Sequence, residues 1–464
     1  MNQLSLSGFK AYDLRGKLPS EINSSLFYAV GRGFATEFLP KKVVVGFDIR
    51  YASLFLTDYL IAGLRDSGVD VVSIGLCGTE EVYFHTTDQA ADGGIMVTAS
   101  HNPVEYAGMK FVGKGSAPIS YATGLKKLSE RIAQQDFLPV IDKASGEYGA
   151  LSFHYDKSAY IEKILSFIDI ANLRAKEGQK PLKVVVNAGN GTAGPVLDRL
   201  QSHLPIEMIK IHNRPDSQFP NGIPNPLLHE NRLETARAVR ENGADLGVAW
   251  DGDFDRCFFF DHQGEFVDPS YLVGLLAKQI LSHCPGETVV TDTRMIWNSQ
   301  YEINQAGGRA VMSPGGHSPM KETMLKESAI YGGEMSAHHY FRAFNYCDSG
   351  MIPWLLVVEL LVTTGKSLSE LIAESKARFP CSGEQNFSVQ STEKVLRELE
   401  AHYRDSARTI DHTDGLSLEF DRWRINVRAS NTEPLLRLNL EVKEDTNLLE
   451  AKLLELRELI ALFG

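Results

Sequence analysis

Three times along this chain a run of β-branched residues ends abruptly in a polar or glycine-rich turn, and this recurrence limits the fold more than any other feature. The runs are residues 43–50 (VVVGFDIR), 184–190 (VVVNAGN, continuing into GTAGP) and 288–294 (TVVTDTR). Each precedes a helix-like stretch and a second apolar strand: VDVVSIGL, IEMIKIHN and RAVMSPG. Each copy then has a third strand that runs into an unusual loop, in GGIMVTASHNP, LGVAWDGDFDR and AIYGGEMSAHH. Strand–helix–strand alternation predicts α/β units with largely parallel pairing and right-handed crossovers. Ligands of such sheets bind outside the carboxyl ends of the strands. The loops carrying Ser100, Asp251 and Glu334 all fall at such ends, so three copies can present three different loops to one central cleft. The plainer alternative is that α/β strands resemble one another without true repetition.

After about Thr364 the pattern changes. Helices are expected over 366–378 and 392–405. Short strands follow: LSLEF after the Asp414-Gly415 turn, then RINVR, then LLRLNLEV, and a last helix covers 448–463. Strands bracketed by helices predict a separate α+β domain. A length of 464 residues accommodates three or four domains. The formal charge of -12 argues against nucleic acid or an anionic membrane as the main partner, while leaving room for a locally positive cleft. Cys77, Cys257, Cys284, Cys347 and Cys381 are scattered and include no CxxC pair, so neither a disulfide framework nor a thiolate zinc site is indicated. Reduced thiols fit a cytoplasmic enzyme. The opening MNQLSLSGFKAYDLRG has no basic segment followed by an apolar core, hence no secretory signal is expected. The longest apolar run, 351–364, contains Glu359 and is too short to span a bilayer. It reads as a buried helix with Pro353 near its first turn.

Four loops carry the chemistry. In Thr98-Ala99-Ser100-His101-Asn102-Pro103 the proline and asparagine favour a turn, which exposes Ser100 just past a strand. A hydroxyl nucleophile needs activation, and His101 and Lys110 offer hydrogen-bonding or cationic groups nearby. A Ser-His pair alone fits a surface turn equally well. In Asp251-Gly252-Asp253-Phe254-Asp255-Arg256 three carboxylates alternate. They can converge on one hard cation if Gly252 lets the backbone curl. The spacing is that of an EF-hand start, but Arg256 stands where that loop needs glycine and an apolar run follows. Without a cation the three aspartates would repel one another, and few protein carboxylates leave room for phosphate oxygens, which favours Mg²⁺ over Ca²⁺.

In Gly332-Gly333-Glu334-Met335-Ser336-Ala337-His338-His339 the alternating Glu334, Ser336 and His338 would point to one side of an extended segment. A carboxylate and a hydroxyl suit the capture of neighbouring sugar hydroxyls; a polar loop is the alternative. In Arg428-Ala429-Ser430-Asn431-Thr432-Glu433-Pro434, between two strands, an arginine, hydroxyls and turn amides form a plausible phosphate cradle. A solvated hairpin turn is the competing reading. His317, in SPGGHSPMK, can be a proton shuttle or a loop residue.

Taken together and in this order, TASHNP, DGDFDR, GEMSAH and RASNTEP resemble the α-D-phosphohexomutase family, and the resemblance extends from AYDLRG to the last domain. Within the family the GEMSAHHYF and YCDSGMIPWLL stretches look most like the bacterial phosphomannomutase branch, which supplies mannose 1-phosphate for GDP-mannose. The resemblance implies three related α/β domains with mixed, largely parallel sheets and a C-terminal α+β domain of TATA-binding-protein-like fold around a central cleft. The corresponding boundaries are 1–148, 149–253, 254–367 and 368–464, carrying the phosphoserine, metal, sugar-binding and phosphate-binding loops in turn. By resemblance Ser100 is the phosphoserine, and Asp251, Asp253 and Asp255 hold one Mg²⁺ beside it, with Ser100 as a further ligand. Glu334, Ser336 and His338 would contact the sugar. Arg428, Ser430, Asn431 and Thr432, with Tyr12, Arg256 and Arg294, would bind phosphate. Arg15, His101, Lys110 and His317 would assist catalysis. Two residues depart from the family pattern. Ala107 replaces a usual Asn, with an expected effect on turn geometry near Lys110, and Arg294 stands where several relatives have Lys.

The implied reaction passes the phosphoryl group of Ser100 to a hexose monophosphate. The resulting hexose 1,6-bisphosphate, also the expected activator, turns over and returns its other phosphate. Hexose phosphate is the only partner implied, with no nucleic acid, membrane or obligate protein partner, and the chain would be a monomer or homodimer. A glucose-specific or dual-specificity mutase is the nearest rival. A mutase of phosphoglucosamine fits Met335 and Ala337 poorly. A sugar-phosphate phosphatase and a non-catalytic sugar-phosphate binder are the readings from other classes.

Overall fold

A computed structural model describes residues 4–174, 180–429 and 435–464. The chain divides into two compact units. One comprises the chain through Phe266 together with Tyr340–Gly365, and the other comprises Val267–His339 and Lys366–Gly464.

The first unit contains two sheets. In the first, the six strands lie in the order Leu14–Lys17, Tyr106–Gly113, Gly93–Val97, Lys42–Phe47, Asp70–Leu76 and Leu151–Phe153. The valine run explains its depth. Val43 and Val45 face one apolar layer with the helices Ser24–Phe38 and Tyr51–Arg65, whereas Val44 faces another with Val82 of the helix Thr79–Asp88. A strand covered on both faces has no need of polar alternation. The second sheet holds Cys257–Phe260, Leu246–Trp250, Lys183–Asn187 and Glu207–Ile211 as neighbours in that order.

The second unit carries three parallel strands, Arg309–Ser313, Thr288–Asp292 and Tyr331–Gly333, in that order. It also carries an antiparallel sheet in the order Cys381–Phe387, Leu436–Val442, Trp423–Ala429, Leu416–Glu419 and Thr409–Asp411. Helices Thr392–Tyr403 and Thr446–Phe463 bury Val395, Leu399, Leu456 and Ile460 against this sheet.

The repeat seen in the sequence is a repeat of topology. In each copy the first strand lies between the third and the second, and both pairings are parallel. In the first two copies an antiparallel strand then returns beside the third: Tyr106–Gly113 and Cys257–Phe260. Ala107 lies inside the first of these returning strands, opposite Gly16, and is fully buried in the apolar layer. It therefore shapes a core position rather than a turn.

The apolar run forms the helix Met351–Thr364, whose tryptophan Trp354 meets Trp250 edge to face at 5.9 Å. Its N-terminus is capped from a distance. Glu80 accepts from the backbone amides of Gly350 at 2.6 Å and Met351 at 3.2 Å, and from the hydroxyls of Ser349 and Tyr160 at 2.9 and 2.7 Å. The carboxyl oxygens of Glu80 thus satisfy open amides of the first helical turn. Among the described residues no helix is long and apolar enough to cross a membrane.

Candidate active site

In the first unit the TASHNP loop leaves the strand Gly93–Val97 and the DGDFDR loop leaves Leu246–Trp250. Ser100 has a φ of 47°, a left-handed conformation that costs a non-glycine residue energy and recurs at functional turns. The loop is held in this shape by two residues that the sequence did not single out. Asp48 accepts from the Thr98 hydroxyl at 2.8 Å and the Ala99 amide at 3.3 Å. Arg50 donates to the carbonyls of Ser100 at 2.9 Å and Pro103 at 2.8 Å, and to that of Asn102. Arg15 braces the same loop, donating to Asn102 Oδ1 at 2.7 Å and the Ala99 carbonyl at 3.3 Å. Tyr12 is half-buried on the segment just before Leu14–Lys17.

Ser100 is buried, and its hydroxyl donates to Asp251 Oδ2 at 2.9 Å with His101 Nδ1 also at 3.0 Å. The two loops meet where Gly252 lies. A Cβ there would stand 2.5 Å from the Ser100 carbonyl oxygen, so only glycine lets the backbones approach this closely. Phe254 fills the space over Gly78, where a Cβ would come within 2.1 Å of its ring. That contact, with the Thr79 amide donating to the Asp253 carbonyl at 3.0 Å, fixes the aspartate loop to the helix Thr79–Asp88.

Asp251, Asp253 and Asp255 are buried and offer carboxylate oxygens within 4.8 Å of one another. Asp253 Oδ2 accepts from Thr79 Oγ1 at 2.6 Å and Lys110 Nζ at 2.8 Å, while its buried Oδ1 has no hydrogen-bond partner among the described residues. Lys110 also pairs with Asp255. Arg256 donates to Asp251 Oδ2 at 2.9 and 2.8 Å and contacts His101 Nδ1 at 2.6 Å. Burial opposes charge on Lys110, but Asp253 and Asp255 outweigh it and hold the ammonium above the ordinary lysine value. Burial likewise works against the charge on Asp253, and Lys110 reverses that, keeping its carboxyl below the usual range. His101 is pushed well down by burial and by the cations Arg256 and Arg15, so it stands as a neutral imidazole. Three buried carboxylates outnumber Lys110 and Arg256 by one, and Asp253 Oδ1 has no hydrogen-bond partner among the described residues. An all-oxygen donor set with these properties fits a hard dication.

The second unit carries the other loops. Glu334 and its neighbours form a tight turn, with Ala337 at a φ of 69° and the Ala337 amide donating to the Glu334 carbonyl at 3.0 Å. The extended alternation expected from the sequence is thus replaced by a turn, which still brings the Ser336 hydroxyl to Glu334 Oε2 at 3.3 Å. Arg294 Nη2 donates to Glu334 Oε2 at 2.9 Å and Ser336 Oγ at 3.2 Å, and its Nε donates to Asp292 Oδ2 at 2.8 Å. Asp292 also accepts from the Met335 amide at 2.9 Å. Burial disfavours the Arg294 charge, yet Asp292 and Glu334 hold its pKa above the usual value. The Gly316 amide donates to Glu334 Oε2 at 2.9 Å, and half-buried His317 begins the helix that follows. His338 is half-buried at the end of the turn. Arg428, near the end of the strand Trp423–Ala429, donates to Glu384 at 3.3 Å, and its Nε has no partner among the described residues. Ser430, Asn431 and Thr432 lie outside the described residues.

The aspartates and arginines that clamp these loops had a signal in the sequence. Asp48-Ile49-Arg50 and Asp292-Thr293-Arg294 end the first strand of two repeats. In both, the arginine amide donates to its own aspartate, at 3.0 and 3.1 Å, and the aspartate accepts from the neighbouring loop.

Sequence models of the four domains of phosphoglucomutase/phosphomannomutase match the chain in order. Alpha/beta/alpha domain I matches residues 7–139, domain II 158–264, domain III 268–379 and the C-terminal domain 384–458. The chain is 51% identical over 458 residues to "Phosphohexose mutases" of Xanthomonas campestris pv. campestris, covering 98% of this chain and 100% of that protein. It is 50% identical over 460 residues to the phosphomannomutase of Salmonella montevideo, with 98% and 99% covered. The crystal structure of a phosphoglucomutase/phosphomannomutase family protein from Burkholderia thailandensis superposes with a TM-score of 0.84 at 29% identity, covering 98% of this chain and 97% of that one. Sequence relatives and fold agree over nearly every residue, and the chain belongs to the phosphoglucomutase/phosphomannomutase family, as an isomerase of the phosphohexomutase class.

Proposed function

We propose that this chain is a phosphomannomutase, interconverting mannose 6-phosphate and mannose 1-phosphate through phosphorylated Ser100 and a hexose 1,6-bisphosphate. The observation that carries the reading is the buried Ser100 hydroxyl, 2.9 Å from Asp251 within the aspartate trio. Phosphomannomutases about half identical over nearly the full length support the choice of sugar. In the forward step the Ser100 Oγ–P bond breaks as a hexose hydroxyl oxygen bonds to phosphorus. In the return step Ser100 Oγ takes the other phosphoryl group, and Asp251 Oδ2 and His101 Nδ1 are the acceptors within reach of its proton. Asp251, Asp253 and Asp255 would hold Mg²⁺, which when bound offsets their charge and that of the phosphoryl oxygens. Lys110, kept protonated, is suited to stabilise phosphoryl charge and not to act as a base. Burial of Ser100 keeps water from its phosphate.

Glu334 and Ser336, joined by Arg294, are suited to neighbouring sugar hydroxyls, with His338 beside them. Arg428, together with Ser430, Asn431 and Thr432, is assigned to the phosphate that is not being transferred, and Tyr12, Arg15 and Arg256 to phosphate on the Ser100 side. His317 is assigned to proton transfer. Hexose 1,6-bisphosphate would serve as activator by charging Ser100. Five cysteines that form no disulfide, three of them buried, suit a reducing compartment, and the activity is assigned to the cytoplasm. A second reading, dual specificity for mannose and glucose phosphates, is favoured by the plural description of the Xanthomonas relative. Comparing kcat/KM for mannose 1-phosphate and glucose 1-phosphate separates the two. Release of free phosphate in place of hexose 6-phosphate would overturn both in favour of a phosphatase.

A further inference from the structure

We propose that His85, Asp88 and His154 form a second metal site, selective for a borderline dication of the zinc class and separate from the aspartate trio. His85 and Asp88 stand three residues apart on the last turn of the helix Thr79–Asp88, so both project from one face. His154 directly follows Leu151–Phe153, the edge strand of the first sheet, and its amide extends the ladder by donating to the Ser73 carbonyl at 2.9 Å. The three side chains offer ligand atoms that all lie within 4.8 Å of one another.

The geometry is close to what a tetrahedral ion demands. Ligands about 2.0–2.1 Å from such a centre stand roughly 3.3 Å apart. His85 Nδ1 and Asp88 Oδ2 are 3.6 Å apart. The imidazoles of His85 and His154 have centroids 5.1 Å apart and planes inclined at 70°. His85 is only 2% exposed, and its Nδ1 has no hydrogen-bond partner among the described residues. A buried polar atom left unsatisfied is uncommon and calls for a partner. Glu81, one turn earlier, is already engaged by the Gly78 amide and by Lys157, so it neutralises that lysine and does not compete for the ion; the Gln89 side-chain amide, which donates to Asp88 Oδ2 at 2.7 Å, would give way to the ion. Two imidazoles and one carboxylate select zinc, copper or nickel over magnesium, which prefers oxygen throughout. Asp88 is exposed and His154 is half-buried, which provides an entry path.

The probe is Zn²⁺, titrated into full-length protein already saturated with Mg²⁺, in competition with a chromophoric chelator. The wild type should retain one Zn²⁺ that excess Mg²⁺ does not displace. His154→Gln and Asp88→Asn should each weaken that binding by at least roughly tenfold, while mutase activity with Mg²⁺ stays at the wild-type level. Zinc should raise the thermal midpoint of the wild type and not of His154→Gln. Co²⁺ should give a tetrahedral d–d absorption band that both variants lose. Failure of the wild type to retain Zn²⁺ would overturn the proposal. So would an affinity or a Co²⁺ band unchanged in His154→Gln, because the metal would then reside elsewhere, in the aspartate trio for example.

Discussion

Replacing Gly252 with alanine tests whether the close approach of two backbones sets the reactive geometry. The added Cβ would lie 2.5 Å from the Ser100 carbonyl oxygen, and 3.0–3.4 Å is already a tight contact. The two loops must therefore separate by about 0.5–0.9 Å. Neither side yields readily. The Ser100 carbonyl is held by Arg50 at 2.9 Å, and the Gly252 carbonyl accepts from the Thr192 amide and hydroxyl, both at 3.1 Å. Gly252 is not in the left-handed region, so the methyl group brings a steric cost alone. Moving the loops apart would stretch the 2.9 Å Ser100–Asp251 bond beyond hydrogen-bond range. Misplacement on this scale costs on the order of a hundredfold in rate, or about 2.7 kcal/mol of barrier. The overpacking itself should cost about 1–3 kcal/mol of stability. Rapid-quench measurement of phosphoserine transfer to mannose 1-phosphate reads the first quantity, and the unfolding midpoint reads the second. Gly146→Ala, with nothing within 4 Å of the new methyl, is the control and should match wild type. A kcat/KM for Gly252→Ala within about threefold of wild type would refute the steric reasoning.

Ser100→Ala should fold normally and lose turnover by orders of magnitude; mass spectrometry of trapped enzyme should find phosphate on Ser100 in the wild type, and phosphate on another residue would reassign the carrier. Chelation should abolish activity and Mg²⁺ restore it, and Asp253→Asn should weaken metal binding more than folding, because it also relieves carboxylate repulsion. Arg428→Ala should lower kcat/KM by about ten- to a hundredfold, as expected for charge-assisted bonds worth roughly 1.5–3 kcal/mol, and unchanged kinetics would remove Arg428 from the site. Burial raises the Glu80 carboxyl from 4.5 to about 8, so between these values the folded chain keeps a proton that the unfolded chain has lost. Its contribution to stability is full below about pH 4.5 and falls as pH rises through about 8. Thermal midpoints between pH 5 and 8 should therefore fall less steeply in Glu80→Gln, and identical slopes would contradict the assignment.

The threefold repeat was legible because a strand buried on both faces must be apolar throughout, and VVV and TVV runs have few other uses. The returning strands Tyr106–Gly113 and Cys257–Phe260 were not legible, since nothing in YAGMKFVG or CFFF records pairing direction. Ser100 and the three aspartates stood out by unusual local composition. Asp48 and Arg50 did not, because a D-x-R after a strand looks like an ordinary solvated turn until its partners fifty residues later are known. Glu334 and Ser336 were found together for the wrong local reason: alternation in an extended chain was expected, and a left-handed Ala337 closes a turn instead. Helix starts were nearly right. The helix expected from 366 begins at Leu368, because Ser367 is used as its cap.

The helix Met351–Thr364 belongs to the first unit although Val267–His339 separates it from the rest of that unit in the chain. During synthesis, the first unit therefore waits for its last piece. At about 5–20 residues per second, the roughly seventy intervening residues take some 4–15 seconds to emerge. Throughout that interval Trp250 lacks Trp354, and Glu80 is buried in nothing, with none of the amides it later caps. A nascent chain stalled near residue 340 would display a wide apolar face to chaperones and proteases. That face is covered only once the chain through Gly365 has emerged.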